Sequence, residues 1–187
     1  MTTSLSPPST SERLREESHR YLSVYLPANR QAILPTDSLI EVLTFTPSQI
    51  ISIPDTPSQV MGVCNWRGEV LWLVDAGHFF DATPSFCETN YQTKFNVVVL
   101  KRQNRALGLV VERVGNMLWC HPSEIAAIVP ELIAPLAPDE MAESSAPPGQ
   151  VAALDNMATR CLIGSWADPS GQDLLVLDAA AILNLFV

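Results

Sequence analysis

Positive charge is scarce in this chain. Eleven Lys and Arg stand against 20 Asp and Glu, for a formal net charge of -9. Such a balance repels phosphate backbones and anionic lipid, which argues against nucleic-acid and membrane-surface roles. The one dense basic cluster is Lys101, Arg102 and Arg105. Histidine is also sparse, with His19, His78 and His121 alone. No H-E-x-x-H occurs, and no two histidines share metal-ligand spacing. Neighbours on a strand point to opposite faces, so Cys120 and His121 do not make a metal pair. The four cysteines form no C-x-x-C, and Cys64, Cys120 and Cys161 lie in apolar runs that suit buried, reduced thiols. There is no P-loop, G-x-G-x-x-G or G-x-S-x-G. No apolar run nears the ~18 residues that span a bilayer, and the N-terminus lacks a basic flank followed by an apolar stretch. The expectation is a soluble cytoplasmic protein, with no membrane insertion, no metal and no cofactor.

What is present is apolar material: 47% of residues are hydrophobic and 17% charged, enough for a real core. It falls in short segments. Leu22, Val24 and Leu26 share one face of a strand over Tyr21 to Leu26, as period-two alternation requires. Strands are expected over Ala32–Leu34, Leu39–Phe45, Ile50–Ile53, Val60–Trp66 and Glu69–Val74. A second series covers Phe95–Lys101, Ala106–Val114 and Asn116–His121, then Arg160–Trp166 and Leu174–Leu177. Arg67 and Gly68 make a tight hairpin turn, with glycine allowing positive φ. Gln103 and Asn104 make another.

Helix signals are few. Asp75 caps a short helix through Phe80, Asp178 caps a closing helix over Ala179–Leu185, and Pro122–Val129 reads as one or two helical turns. Glu12–Arg20 is charged and reads as a short helix after a Ser/Thr/Pro-rich start. Residues 1–20 are expected to be a flexible extension, and 21–187 one domain. Five prolines and five acidic residues mark about 130–157 as an inserted solvated loop. Many brief strands mean an all-β class, built of barrels.

A short echo supports two barrels. Gly68 precedes Asp75 by seven residues, and Gly171 precedes Asp178 by seven, with apolar strands between and alanine after each aspartate. Trp66 and Trp166 lie just upstream.

Several residues carry two readings. Trp66, beside the turn, is either barrel core or a protein-binding edge, where tryptophan is enriched. Trp72, Trp119 and Trp166 read as core. Arg67 is a solvated turn residue or a planar fork for a partner's carboxylate or carbonyl. Glu41 interrupts the apolar run of Leu39, Ile40, Val42 and Leu43, marking either the wet face of a strand or a partner contact. Asp75 and Asp178 read as helix caps rather than a catalytic carboxylate pair.

The order of motifs resembles the CheW chemotaxis coupling family. That family shows V-x-E-I, then I-x-x-I-P-x-x-P, then G-V-x-N-L-R-G, then a strand closing in P-V-I-D-L. The counterparts here are LIEV (Leu39–Val42), IISIPDTP (Ile50–Pro57), GVCNWRG (Gly62–Gly68) and LWLVDA (Leu71–Ala76). LGLVVERV (Leu107–Val114) is similar to the family's G-L-x-V-D-x-V. CLIGSW and LLVLDAAAIL are similar to its last strand pair and helix. Trp66 stands where the family usually has Leu, Trp72 where Pro is common, and Ala76 where Leu is.

The resemblance implies a CheW-like fold of two intertwined five-stranded SH3-like β-barrels with short helices and a C-terminal helix. It implies a non-catalytic adaptor that couples methyl-accepting chemoreceptor tips to the regulatory domain of a CheA-type histidine kinase. The motility output would be chemotaxis, phototaxis or type IV pilus movement. By position it assigns receptor binding to Leu39, Glu41 and Arg67. Gly62, Asn65 and Gly68 become the motif framework, with Asn65 and Gly68 shaping the turn. It names no kinase-contact residue. Three rivals stand beside it: an array scaffold that binds kinase or itself without touching receptors, an enzyme using Asp75 or His121, and a nucleic-acid-binding barrel. The acidic balance disfavours the last.

Overall fold

The computed structural model describes residues 18–27, 29–79, 94–128 and 159–186. Ten strands are seen: β1 (His19–Leu26), β2 (Arg30–Pro35), β3 (Leu39–Phe45), β4 (Val60–Trp66), β5 (Glu69–Asp75), β6 (Phe95–Arg102), β7 (Arg105–Val111), β8 (Arg113–Cys120), β9 (Leu162–Ala167) and β10 (Asp173–Leu177). A helix, α1 (Ala179–Phe186), follows the last strand. The protein is therefore mostly β, with two five-stranded sheets ordered β8-β1-β2-β10-β9 and β3-β6-β7-β5-β4.

These orders explain the intertwining. The first hairpin, β1–β2, lies in the sheet completed by the last strands of the chain. β2 pairs parallel with β10, and β5 pairs parallel with β7. Replacing β3, β6, β7, β5 and β4 by β8, β1, β2, β10 and β9 turns one sheet order into the other. The echo at Gly68 and Gly171 belongs to this relation, with φ of +86° and +85° at the two glycines. The two tryptophans do not. Cys64 pairs with Leu71, four residues before Asp75, whereas Trp166 pairs with Leu174, four before Asp178. Trp166 thus occupies the place of Cys64.

Among the described residues, three apolar clusters make up the core. One lies inside the β3–β7 barrel and includes Cys64, Trp66, Leu71, Val97 and Val99. One lies inside the other barrel, with Tyr21, Ile33, Cys120 and Trp166. The largest lies between the sheets and takes Leu22, Val24 and Leu34 from one and Val98, Leu100 and Leu109 from the other. The middle strands are buried on both faces, so they read as continuous apolar runs. In β6, Val97 and Val99 enter the barrel while Val98 and Leu100 enter the middle cluster.

Some sequence expectations need correction. Ile50–Ile53 is not a strand: Ile51 makes an isolated bridge to Val63, because the prolines at 54 and 57 leave no room for a longer ladder. Over its described residues, 122–128, the expected helical segment Pro122–Val129 is not a helix. A 3-10 turn covers Pro122–Glu124, and Ala126 then bridges to Ser165. β7 stops at Val111 and β8 begins at Arg113, so the expected break between Val114 and Asn116 falls earlier. Thr159 and Arg160 are helical, and β9 starts only at Leu162. His19 and Arg20 belong to β1 rather than to a helix, and Trp119 is exposed rather than core. Residues 12–17 of the expected helix, the start of the N-terminal extension, Phe80, Cys87 and the whole of the 130–157 insertion lie outside the described residues.

Candidate functional site

The β4–β5 turn is two residues long, Arg67 and Gly68. Both have positive φ, +55° and +86°, the sign pair of the turn that best matches strand twist. Arginine in this region is uncommon. Asn65 offsets part of the strain, since its Oδ1 accepts the Gly68 N–H at 3.0 Å. The turn thus lifts Arg67 out, and its side chain is 67% exposed.

Trp66, one residue back, points the other way and is buried in the barrel. Its indole Nε1 donates to Oε1 of Glu41 at 2.6 Å. Arg67 Nη2 lies 3.1 Å from each oxygen of the same carboxylate. The guanidinium sits 5.5 Å from the Trp66 ring centre, and Lys101 Nζ sits 5.9 Å from it. Both separations are within cation–π range. The indole bond, and after it the Arg67 contact, hold the Glu41 carboxyl below its ordinary range, against an opposing effect of partial burial.

Glu41 reaches Trp66 because of a bulge. The β3–β6 register shifts between Leu39 and Glu41, where Leu39 faces Leu100 and Glu41 faces Val99. Leu39 therefore packs on the middle cluster, while Glu41 turns toward the barrel that holds Trp66. The wet-face reading of Glu41 does not hold. Glu41 and Arg67 are brought together; Leu39 is half-buried on the opposite face of the strand. Gly62 lies at the far end of β4, with φ of +141°, against the Ile51 carbonyl. It serves barrel closure rather than the turn.

Three features escaped the sequence reading. The Trp66–Glu41 bond spans 25 positions and has no local signature. Lys101 joins the same ring from β6, which brings Lys101, Arg102 and Arg105 to the end of the barrel that carries Arg67. The second barrel has its own pair, Trp166 Nε1 to Glu124 Oε2 at 3.0 Å. A repeat would have signalled the last: TPSQII (Thr46–Ile51) matches HPSEIA (His121–Ala126), and each stretch forms a 3-10 turn and then a bridge residue.

The other candidates are in structural use. Asp178 Oδ1 accepts the Ala180 and Ala181 N–H groups at 2.9 Å, and Asp75 Oδ1 accepts that of Gly77 at 2.9 Å. His121 Nδ1 accepts the Ser123 N–H at 3.1 Å. Cys120 points into the second barrel, where burial pushes its thiol up to about 11. Among the described residues no group of His, Cys, Asp and Glu is placed to hold a metal, and no helix is long and apolar enough to cross a membrane.

Comparison with known proteins agrees with this architecture. The family described as CheW-like domain matches residues 20–138. No curated protein matches the chain. Among solved structures, the chain is similar to the scaffolding protein TtCheW from Thermoanaerobacter tengcongensis. The identity is 14% and the TM-score 0.58, over 86% of this chain and 89% of that one. At that identity the likeness is one of fold.

Proposed function

The chain belongs to the CheW-like domain family, and from that premise we propose that it is a non-catalytic adaptor of a cytoplasmic chemosensory array. It couples the signalling tip of a methyl-accepting chemoreceptor-type protein to the regulatory domain of a CheA-type histidine kinase, in a system controlling chemotaxis, phototaxis or type IV pilus motility. The observation that carries the reading is the turn at Arg67. It presents an exposed guanidinium, held on one side by Glu41, at the end of a β-barrel.

A receptor helix would lie along β3, with Ile40 and Val42, both more than 40% exposed, supplying apolar contact. Leu39 supports that strand from the middle cluster and lends its exposed edge. Arg67 would take a carboxylate or carbonyl of the helix, for which its planar fork is suited. Gly62, Asn65 and Gly68 keep the strand and turn in shape. The signal passes as a change in relative orientation of two bound partners, with no covalent step.

A pull-down with Arg67→Glu tests the assignment. Binding to the receptor tip should fall while kinase binding persists. Unchanged binding to both partners would sink the role of Arg67.

A second reading is an array scaffold that binds kinase or another copy of itself and ignores receptors. Met117 and Trp119 favour it, being 55% and 63% exposed on β8, a strand at the end of its sheet. Wild-type protein that captures kinase but no receptor tip would select this reading.

A further inference from the structure

Trp66 is the residue at this surface that the adaptor reading leaves without a task. It is buried, yet its one polar atom is spent on a carboxylate at the barrel rim. A carboxylate facing an arginine alone can take two guanidinium nitrogens at once and occupy a full edge of the fork. That does not happen here. Trp66 holds Oε1 from inside the barrel, and Arg67 meets Glu41 through Nη2 only. Nε and Nη1 of Arg67 make no hydrogen bond to the described residues. Three N–H bonds therefore remain for another acceptor.

The charge around the ring points to the chemistry of that acceptor. Arg67 in the β4–β5 turn, Lys101 and Arg102 at the end of β6 and Arg105 at the start of β7 lie at one end of the barrel, with Asp37, Glu41 and Glu69 as the acidic residues there. Four basic residues against three acidic ones, one of them Glu41 already held by Trp66 and Arg67, leave this end slightly positive on a chain of net charge -9. The Trp66 ring gathers two of the four, Arg67 and Lys101. A leucine at this position could donate no hydrogen bond and attract no cation.

We propose that Trp66 is a positioning residue: it restrains Glu41 so that Arg67 keeps a free edge, and with Lys101 on the ring the surface selects an acidic side chain on the partner helix. The proposal rests on the adaptor reading for the identity of the partner. The restraint itself is a property of the isolated chain.

The test uses Trp66→Phe, which keeps an aromatic ring and removes the N–H, and Trp66→Leu, which removes both. Circular dichroism and thermal melts first establish that each variant folds. In the full-length chain alone, the Glu41 carboxyl is then titrated by NMR. Its midpoint should rise in Trp66→Phe, and an unchanged midpoint would overturn the proposal whatever the partner is. Should both variants fail to fold, Glu41 in wild-type protein decides: a midpoint at the ordinary glutamate value would overturn the restraint.

Binding to a receptor-tip helical hairpin is measured next, in wild-type form and with its interface glutamates changed to Gln. Trp66→Phe should weaken binding about tenfold, as loss of a hydrogen bond to a charged group does. It should have little further effect once Glu41→Gln is present, because both changes act on one restraint. Additive losses would mean that Trp66 touches the partner directly and would overturn positioning. The Gln hairpin should bind wild type and Trp66→Leu alike, and a preference of wild type for it would overturn acidic selection. Absence of any binding by wild type counts against the adaptor reading, and the Glu41 titration still decides the restraint.

Discussion

Gly62 and Gly164 hold the same place in the two barrels. A Cβ on Gly62 would lie 2.3 Å from the Ile51 carbonyl oxygen, and one on Gly164 would lie 2.2 Å from that of Ala126. In each case the glycine lets the segment after a 3-10 turn close onto the neighbouring strand, through the Ile51–Val63 and Ala126–Ser165 bridges. Gly62→Ala and Gly164→Ala should therefore both destabilise the protein, by about 1–3 kcal/mol or more from overpacking against backbone. Gly68→Ala meets no neighbouring atom, so its penalty is the positive φ alone, about 1 kcal/mol. Denaturant melts of the three variants check the order; equal losses would refute closure by contact.

Arg67 occupies a conformation that asparagine tolerates better. Arg67→Asn should keep or raise the melting temperature while receptor-tip binding falls. The pair of measurements separates presentation of the guanidinium from turn stability. A clear drop in melting temperature would mean that the guanidinium contacts outweigh the backbone cost.

Acid should act through Glu41. Its folded pKa lies below the ordinary value of 4.5. The stabilisation it gives is thus full above that value and is lost as pH falls through the lowered one. Wild type should exceed Glu41→Gln in melting temperature at neutral pH, and the gap should close below pH 4.5. A gap that stays constant down to pH 3 contradicts the assignment.

Burial pushes the Cys161 thiol up to about 12 and that of Cys120 to about 11. At pH 8 almost no thiolate is present at either, and thiolate is the nucleophile. Site-resolved mass spectrometry should find both alkylated at least about a hundredfold more slowly in the native protein than in urea.

Asp178 caps α1 with two N–H groups on one oxygen. Asp178→Ala should cost about 1 kcal/mol, or roughly 2–4 °C in melting temperature for a chain of this size. Asp178→Asn should stay near wild type, because asparagine caps as well.

The strands β3 and β4 could be read from the sequence to the residue. Each is a short, mostly apolar run, closed by Pro47 after β3 and by the Arg67–Gly68 turn after β4. The capped helix after Asp178 was equally plain, because a cap and a 3.6-residue period are local properties. Leu39 and Glu41 show where such reading stops. Two residues apart on a strand, they should share a face. A bulge whose cause lies in pairing with β6 separates them.

The sequence by itself determined the all-β class, the positions of most strands, the turn at Arg67 and the motif order behind the family resemblance. Each rests on interactions between residues close in the chain. Tertiary structure alone decided that β1 and β2 join the last strands of the chain. It also decided that Trp166 stands in the place of Cys64, and that Trp66 and Lys101 surround the Glu41–Arg67 pair. Those outcomes depend on sheet register and parallel pairing across long stretches of chain. The energy that selects them comes from closing two barrels around one shared core.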